Sequence, residues 1–226
     1  MLLTLPDVLL KEELTTIRGL LKQAQWVDGR STAGTQAAQV KNNQQLAEQD
    51  PLLAQIRRIV MQALHRDPLF FSAVLPDKIL PPFVNRYVGA TNHYGFHVDN
   101  AMRSMPDGSA RVRADVSATL FLNEPDEYEG GELVVQDVFG DQRIKLKAGS
   151  IVIYPSSSVH AVTPVTGGER LASFMFIQSM VRDAAHRRML FDMDMALVRL
   201  RQQHGETPEV VQLTGIYHNL LRQWAL

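Results

Sequence analysis

The hydrophobic period changes twice along the chain. Leu10, Leu14, Ile17 and Leu21 recur at helical spacing, and Leu53, Ile56, Val60 and Leu64 do so again. Asp50-Pro51 marks the start of the second helix: a carboxylate that accepts from an end-of-helix N–H, then a proline at the first helical position, where the missing N–H costs nothing. Between the two helices, Asp28 to Gln45 holds Gly29, Gly34 and many Gln and Asn residues, and is expected to be a surface loop. Pro81-Pro82 closes the helical region. Beyond it the period drops to two: Val116, Ala118, Leu120 and Leu122 alternate with Ser117, Thr119, Phe121 and Asn123, and Ile144 and Leu146 with Lys145 and Lys147. Ser150–Tyr154 and Leu171–Gln178 are further strand candidates. Gly130-Gly131, Gly140-Asp141, Gly149 and Gly167-Gly168 punctuate them, as in an antiparallel sandwich or barrel. Helical spacing then returns in Leu190, Met193, Leu197 and Leu200, with Gly205 as a stop. Thr207-Pro208 opens a last helix carrying Val211, Tyr217, Leu220, Leu221 and Trp224.

The pattern predicts a mainly β fold with flanking helices (α+β). Residues 1–80 form an N-terminal helical support, 81–180 the β core and 181–226 a C-terminal helical hairpin. The hairpin either packs on its own sheet or makes a homo-oligomer interface. At 226 residues and 45% hydrophobic content the chain can bury a sizeable core. Its net charge of −1 gives no reason to expect nucleic acid or an anionic membrane as partner. The absence of cysteine excludes disulfides, thiolate zinc sites and cysteine nucleophiles, and leaves any metal to His, Asp and Glu. The opening MLLTLPDVLLKEEL lacks the basic start and long apolar stretch of a signal peptide, and no apolar run is long enough to span a bilayer. The expected location is cytoplasmic.

Four residues carry the chemistry. His97 and Asp99 form a His-x-Asp pair; His160 follows a later strand, and Arg170 stands ten residues after that. On a strand, positions i and i+2 share a face, so the pair can present an imidazole and a carboxylate to one metal, with His160 as third ligand. Two imidazoles and one carboxylate suit Fe(II) and leave positions open for a 2-oxo acid and dioxygen. The far carboxylate of 2-oxoglutarate would be buried, and a guanidinium can grip it bidentately. That role falls to Arg170, which a hairpin turning at Gly167-Gly168 would bring back beside His160. His65, His186, His204 and His218 lie in helical segments and read as surface or packing residues; for His93 a role beside the site is open.

The segments NRYVGATNHYGFHVDNA, GGEL and YPSSSVHAVTPVTGGER resemble the bacterial PKHD-type hydroxylases, relatives of the prolyl 4-hydroxylase catalytic domain among the Fe(II)- and 2-oxoglutarate-dependent dioxygenases, and in particular their iron-uptake-associated branch. The resemblance covers the core from about Pro81 to Met180. It implies a double-stranded β-helix (jelly-roll) core, iron on His97, Asp99 and His160, and 2-oxoglutarate on Arg170, with Tyr87 sharing its carboxylate or serving as a core aromatic. It also implies oxidative decarboxylation to succinate and carbon dioxide coupled to hydroxylation, with ascorbate as activator. Animal prolyl hydroxylases usually carry a lysine where this chain has Arg170, which weakens any inference to a peptidyl proline substrate.

The paired glycines of GGEL allow a sharp turn or a close approach to the site; Glu132 either supports a ligand or sits on a solvated edge. Asn100–Arg113 is a candidate lid, in which Arg103, Arg111 and Arg113 either meet an anionic substrate or pair with Asp107 and Asp115. The primary substrate, a small molecule or a protein side chain, is not identified. Two other classes compete: a non-catalytic cupin-like iron sensor or small-molecule-binding module, which has no use for a buried dicarboxylate anchor, and an interaction protein working through Met193 and Leu197.

Overall fold

The computed structural model describes residues 1–226. The chain begins with β1 (Leu3–Leu5), α1 (Lys11–Leu21), β2 (Trp26–Asp28), a 3-10 turn (Gly29–Thr32), α2 (Thr35–Val40), β3 (Lys41–Asn42) and β4 (Gln44–Leu46). Two helices follow, α3 (Pro51–Arg66) and α4 (Pro68–Val74), and then β5 (Pro76–Ile79), β6 (Phe83–Val88) and β7 (His93–His97). A small hairpin, β8 (Met102–Ser104) and β9 (Arg111–Arg113), precedes β10 (Val116–Phe121), β11 (Tyr128–Gly130), β12 (Leu133–Asp137) and β13 (Gly140–Ile144). The core closes with β14 (Ile151–Pro155), β15 (His160–Val162) and β16 (Val165–Ser179), and the chain ends in α5 (Ala184–His204) and α6 (Pro208–Trp224).

The strands form the two facing sheets of a double-stranded β-helix. The major sheet runs β1-β14-β10-β16-β6-β4-β2, with β5 and β11 paired to the two ends of β16; the minor sheet runs β13-β12-β15-β7-β3. Between them Tyr87, Phe121, Val152 and Tyr154 of the major sheet meet Leu133, Val135, Ile144 and Val162 of the minor. The other face of the major sheet carries the largest core, where Val116, Ala118, Leu120, Ile151 and Ile153 pack on Ile17, Leu53, Ile56, Val60 and Phe70 of α1, α3 and α4. The major sheet is therefore covered on both faces, and every residue of β10 is buried. The alternation in β10 sorts its residues between two buried environments: Val116, Ala118 and Leu120 toward the helices, Ser117 and Thr119 toward the pocket.

The helices start and stop as their caps dictate. Asp50 accepts from the Leu52 N–H and Thr207 from that of Val210, each before a proline, and Gly205 ends α5 at φ 73°. Asp67-Pro68 starts α4 by the same device, with Asp67 accepting from the Phe70 N–H. The helices α5 and α6 pack on each other and on Leu75 and Val181 through Leu190, Leu197, Val210 and Tyr217. Val211 of α6 is exposed. His186 stacks on Trp224 with ring centroids 4.0 Å apart, a packing role.

Several expectations need correction. Asp28–Gln45 is no surface loop: it holds a strand end, a 3-10 turn, α2, β3 and part of β4, and Lys41, Asn43 and Gln45 are buried. Its strands are too short to show a period; Lys41 lines the pocket and bonds to Gln45, while Arg30, Ser31, Thr35, Gln36 and Gln39 are exposed. The same shortness hid β1, which pairs with β14. Gly167-Gly168 is not a turn. Both glycines lie inside β16, paired with β11, and the chain crosses from the minor sheet to the major one earlier, at Thr163-Pro164. The strand expected around Ile144–Leu146 ends at Ile144.

Candidate metal and co-substrate site

The inner wall of the minor sheet carries the metal-ligand candidates. The strands β7 and β15 run antiparallel, and His160 stands opposite His97 in their register. Directly opposed residues share a face, so the two imidazoles meet with centroids 4.3 Å apart. Asp99 reaches the same place differently from the expectation of one strand face. The strand β7 ends at His97, and the carboxylate arrives from the segment just beyond it. Ligand atoms of His97, Asp99 and His160 lie within 4.8 Å of one another, and His160 Nε2 is 3.6 Å from Asp99 Oδ2.

Backbone carbonyls set the tautomers. His97 Nδ1 lies 2.8 Å from the Gly95 carbonyl and His160 Nδ1 3.0 Å from that of Ser158. A carbonyl can only accept, so each Nδ1 carries the proton and each Nε2 offers its lone pair. Burial, and after it the neighbouring His160, pushes His97 down to about 4, so the ring is a neutral ligand at ordinary pH. Tyr94 stacks on His97 at 3.6 Å between centroids and fixes the ring plane. Ser117 Oγ donates to Asp99 Oδ2 at 2.7 Å and is itself bonded to Ser156 Oγ, which fixes the orientation of the carboxylate beside the two imidazoles.

Across the pocket, on the major sheet, Arg170 pairs in register with Tyr87. It is 1% exposed, and none of its three guanidinium nitrogens has a hydrogen-bond partner. An isolated buried cation is strongly unfavourable; this one is aimed into the pocket that it shares with His97, Asp99 and His160. The Tyr87 and Phe121 rings each lie 5.2 Å from its guanidinium carbon. The unpartnered Asn85 Oδ1 and Tyr128 hydroxyl are buried as well. Burial raises the phenols of Tyr87, Tyr128 and Tyr154, so all three stay protonated and able to donate. A carboxylate or another anionic group is what this end fits.

Of the two GGEL glycines, Gly131 abuts the anchor, whereas Gly130 packs on the Pro164 backbone. Gly131 has φ +64°, and a Cβ there would lie 3.0 Å from Arg170 Cδ and 2.9 Å from the Tyr128 ring. Glu132, by contrast, pairs with Arg143 at 2.8 Å on the outside of the sheet. His93 contacts Asn92 and is not among the residues lining the pocket. Asn100–Arg113 spans the β8–β9 hairpin, whose arginines separate: Arg103 enters the pocket, Arg111 is exposed outside it, and Arg113 pairs with Asp115 at 2.7 Å. Sequence reasoning missed Asn85, Tyr94, Ser117, Tyr154 and Lys41. Ser117 had a signal, as the polar partner in an alternating strand with no solvent face. Lys41 had none.

Residues 82–178 match the family described as 2OG-Fe(II) oxygenase superfamily, and residues 184–225 match the PKHD-type hydroxylase C-terminal domain. A PKHD-type hydroxylase of Nitrosomonas europaea is 68% identical over 225 residues, covering 100% of this chain and 99% of the relative. One from Azoarcus sp. is 60% identical over 226 residues with the same coverage. Among solved structures, a Pseudomonas putida prolyl-4-hydroxylase aligns with TM-score 0.54 at 20% identity, covering 79% of this chain and 92% of the other. The carbocyclase SnoK of nogalamycin biosynthesis aligns with TM-score 0.56 at 13% identity, covering 79% and 80%. At such identities these two structures speak for the fold alone.

Proposed function

This chain belongs to the PKHD-type hydroxylases, enzymes of the 2OG-Fe(II) oxygenase superfamily, and from that premise we propose that it hydroxylates a primary substrate while converting 2-oxoglutarate to succinate and carbon dioxide. The observation that carries the reading is the partnerless, buried Arg170 guanidinium facing the His97/Asp99/His160 cluster across one pocket. A metal-binding module needs the cluster but not the arginine.

His97, Asp99 and His160 would hold Fe(II), and Arg170 with Tyr87 the distal carboxylate of 2-oxoglutarate. Bound iron would supply the redox chemistry that couples oxidative decarboxylation to oxygen insertion into a C–H bond. The chain's own residues do the rest. The Gly95 and Ser158 carbonyls orient the imidazoles, Ser117 steers Asp99, and Arg170 neutralises and aligns the co-substrate in a site walled by Tyr94, Tyr154 and Phe174 against water. Ascorbate is the proposed activator, as a reductant that restores activity lost to uncoupled turnover. The proposed setting is the cytoplasm, and the proposed role lies in iron uptake or homeostasis; the resemblance to that branch supports the role. No helix is long and apolar enough to cross a membrane.

The test is an anaerobic titration with Fe(II) and then 2-oxoglutarate, followed in the visible spectrum. A charge-transfer band that forms in the native protein and is lost in His160→Ala supports the oxygenase site. Iron binding without the band points to a cupin-like binding module, and no iron binding removes the reading.

A further inference from the structure

The pocket holds more positive charge than a metal and 2-oxoglutarate can use. Its lining includes three cationic side chains, Lys41, Arg103 and Arg170, and a single carboxylate, Asp99. Asp99 offsets Arg170, and the two charges of Fe(II) offset the two carboxylates of the co-substrate. Lys41 and Arg103 remain.

Both are placed at structural expense. Lys41 is 5% exposed, and its ammonium reaches only neutral oxygens, Thr32 Oγ1 at 3.2 Å and Gln45 Oε1 at 3.3 Å. Its Nζ sits 5.3 Å from the Tyr94 ring centroid and 5.7 Å from that of Phe174. Arg103 lies over Phe176 with its guanidinium carbon 3.8 Å from the ring centroid; Nη1 makes one long contact of 3.5 Å to the Thr32 carbonyl, and the buried Nε has no partner. Burial, and after it the charge of Arg103, lowers the Lys41 ammonium to about 8. Two cations confined to one pocket repel each other and are desolvated, and a structural role would be filled better by apolar side chains. An incoming anion relieves both penalties at once.

We propose that Lys41 and Arg103 form an anion seat for the primary substrate, which therefore carries a carboxylate or phosphate beside a flat or apolar carbon skeleton. The seat binds the oxyanion between the two cations, the rings of Tyr94, Phe174 and Phe176 pack on the skeleton, and the reacting C–H is presented to the His97/Asp99/His160 cluster. The assignment rests on the oxygenase reading above and names the chemical class that reading leaves open. It also moves the substrate contact from the exposed Arg111 to Lys41, on a different segment of the chain.

The test is calorimetry on the anaerobic Fe(II)- and 2-oxoglutarate-loaded protein at fixed ionic strength, with benzoate, inorganic phosphate and neutral benzamide as probes. At least one anion should bind about tenfold or more tighter than benzamide. Arg103→Gln and Lys41→Gln should each weaken that binding about tenfold, with the 2-oxoglutarate Kd within about twofold of the original, whereas Arg111→Gln on the same hairpin should leave the anion affinity unchanged. Anions that bind no better than benzamide, or equally well to both pocket variants, overturn the seat. Variants that lose 2-oxoglutarate in parallel also overturn it, by making Lys41 and Arg103 part of the co-substrate anchor. Absence of the charge-transfer band in the unaltered protein is the separate failure of the oxygenase reading, and the seat falls with it.

Discussion

The two cationic ends of the pocket are built from different material. Arg170 rises from the middle of β16, the longest strand, paired through β6 and covered by helices on the far face of its sheet. Lys41 and Arg103 come from a two-residue strand and from a small hairpin attached to no other strand. The first end is fixed by the fold and suits a ligand that every turnover shares. The second is carried by segments that can be rebuilt without disturbing the sheets, where selectivity is easiest to change. On this view the jelly roll supplies the reaction and its irregular margins supply the substrate.

The largest effects should fall on the fixed part. His160→Ala removes one of the three proposed ligands; since loss of an outer partner alone costs about 10- to 100-fold, metal affinity should fall by more than about 100-fold, measured by competition with a chromogenic chelator. Retained stoichiometric iron would show that His97 and Asp99 suffice. Arg170→Ala should weaken 2-oxoglutarate by about 100-fold, equivalent to about 3 kcal/mol for one half of a buried charge pair. The same variant should make the ligand-free protein more stable, because a partnerless buried cation is gone. A drop in Tm would mean that Arg170 has a structural partner in solution.

Gly131 tests how tightly the fixed end is built. Gly131→Ala combines left-handed strain with crowding of Arg170 and Tyr128, and should cost about 2 kcal/mol by chemical denaturation. Gly89→Ala is the control, with a similar φ of +56° but open space around a new Cβ, and should cost about 1 kcal/mol. Only Gly131→Ala should also weaken 2-oxoglutarate; equal behaviour of the two would separate GGEL from the anchor.

The same contrast governs what could be read beforehand. His97, Asp99, His160 and Arg170 are rare residue types at fixed spacings on or beside regular strands, so the structure brings them together much as the sequence suggested. The details that failed are those of chain path. Asp99 lies past its strand, and Arg170 reaches the pocket by a crossing between sheets rather than by a hairpin. Lys41 was hidden inside a polar stretch whose strands are two and three residues long. A period cannot be seen in so few positions, and the partners that bury Lys41 (Tyr94, Phe174 and Gln45) come from elsewhere in the chain or from a neighbour with no distinctive signature. Arg103 and Arg111 looked equivalent because hairpin register, which turns one inward and the other out, is set by pairing with Val112 and Ser104 and not by composition.

Lys41 gives the most direct comparison with Arg170. Its ammonium is lowered from an ordinary 10.5 to about 8, first by burial and then by Arg103, against the opposing pull of Asp99 and Asp28. That difference corresponds to about 3 kcal/mol of destabilisation while the lysine is charged, less about 1 kcal/mol returned by its bonds to Thr32 and Gln45. Lys41→Met should therefore raise stability by about 2 kcal/mol at pH 7. The sign with pH follows from proton counting. Between about pH 8 and 10.5 the unfolded chain holds the Lys41 proton more often than the folded one, so native stability climbs with pH across this window. The advantage of Lys41→Met should accordingly shrink as pH rises through it, and be lost once both states are neutral. Urea unfolding at pH 7 and pH 10 reads both predictions. A variant that is less stable at pH 7, or a gap that does not narrow, would make Lys41 a structural residue held by Thr32 and Gln45, and would leave Arg103 as the pocket's remaining surplus cation.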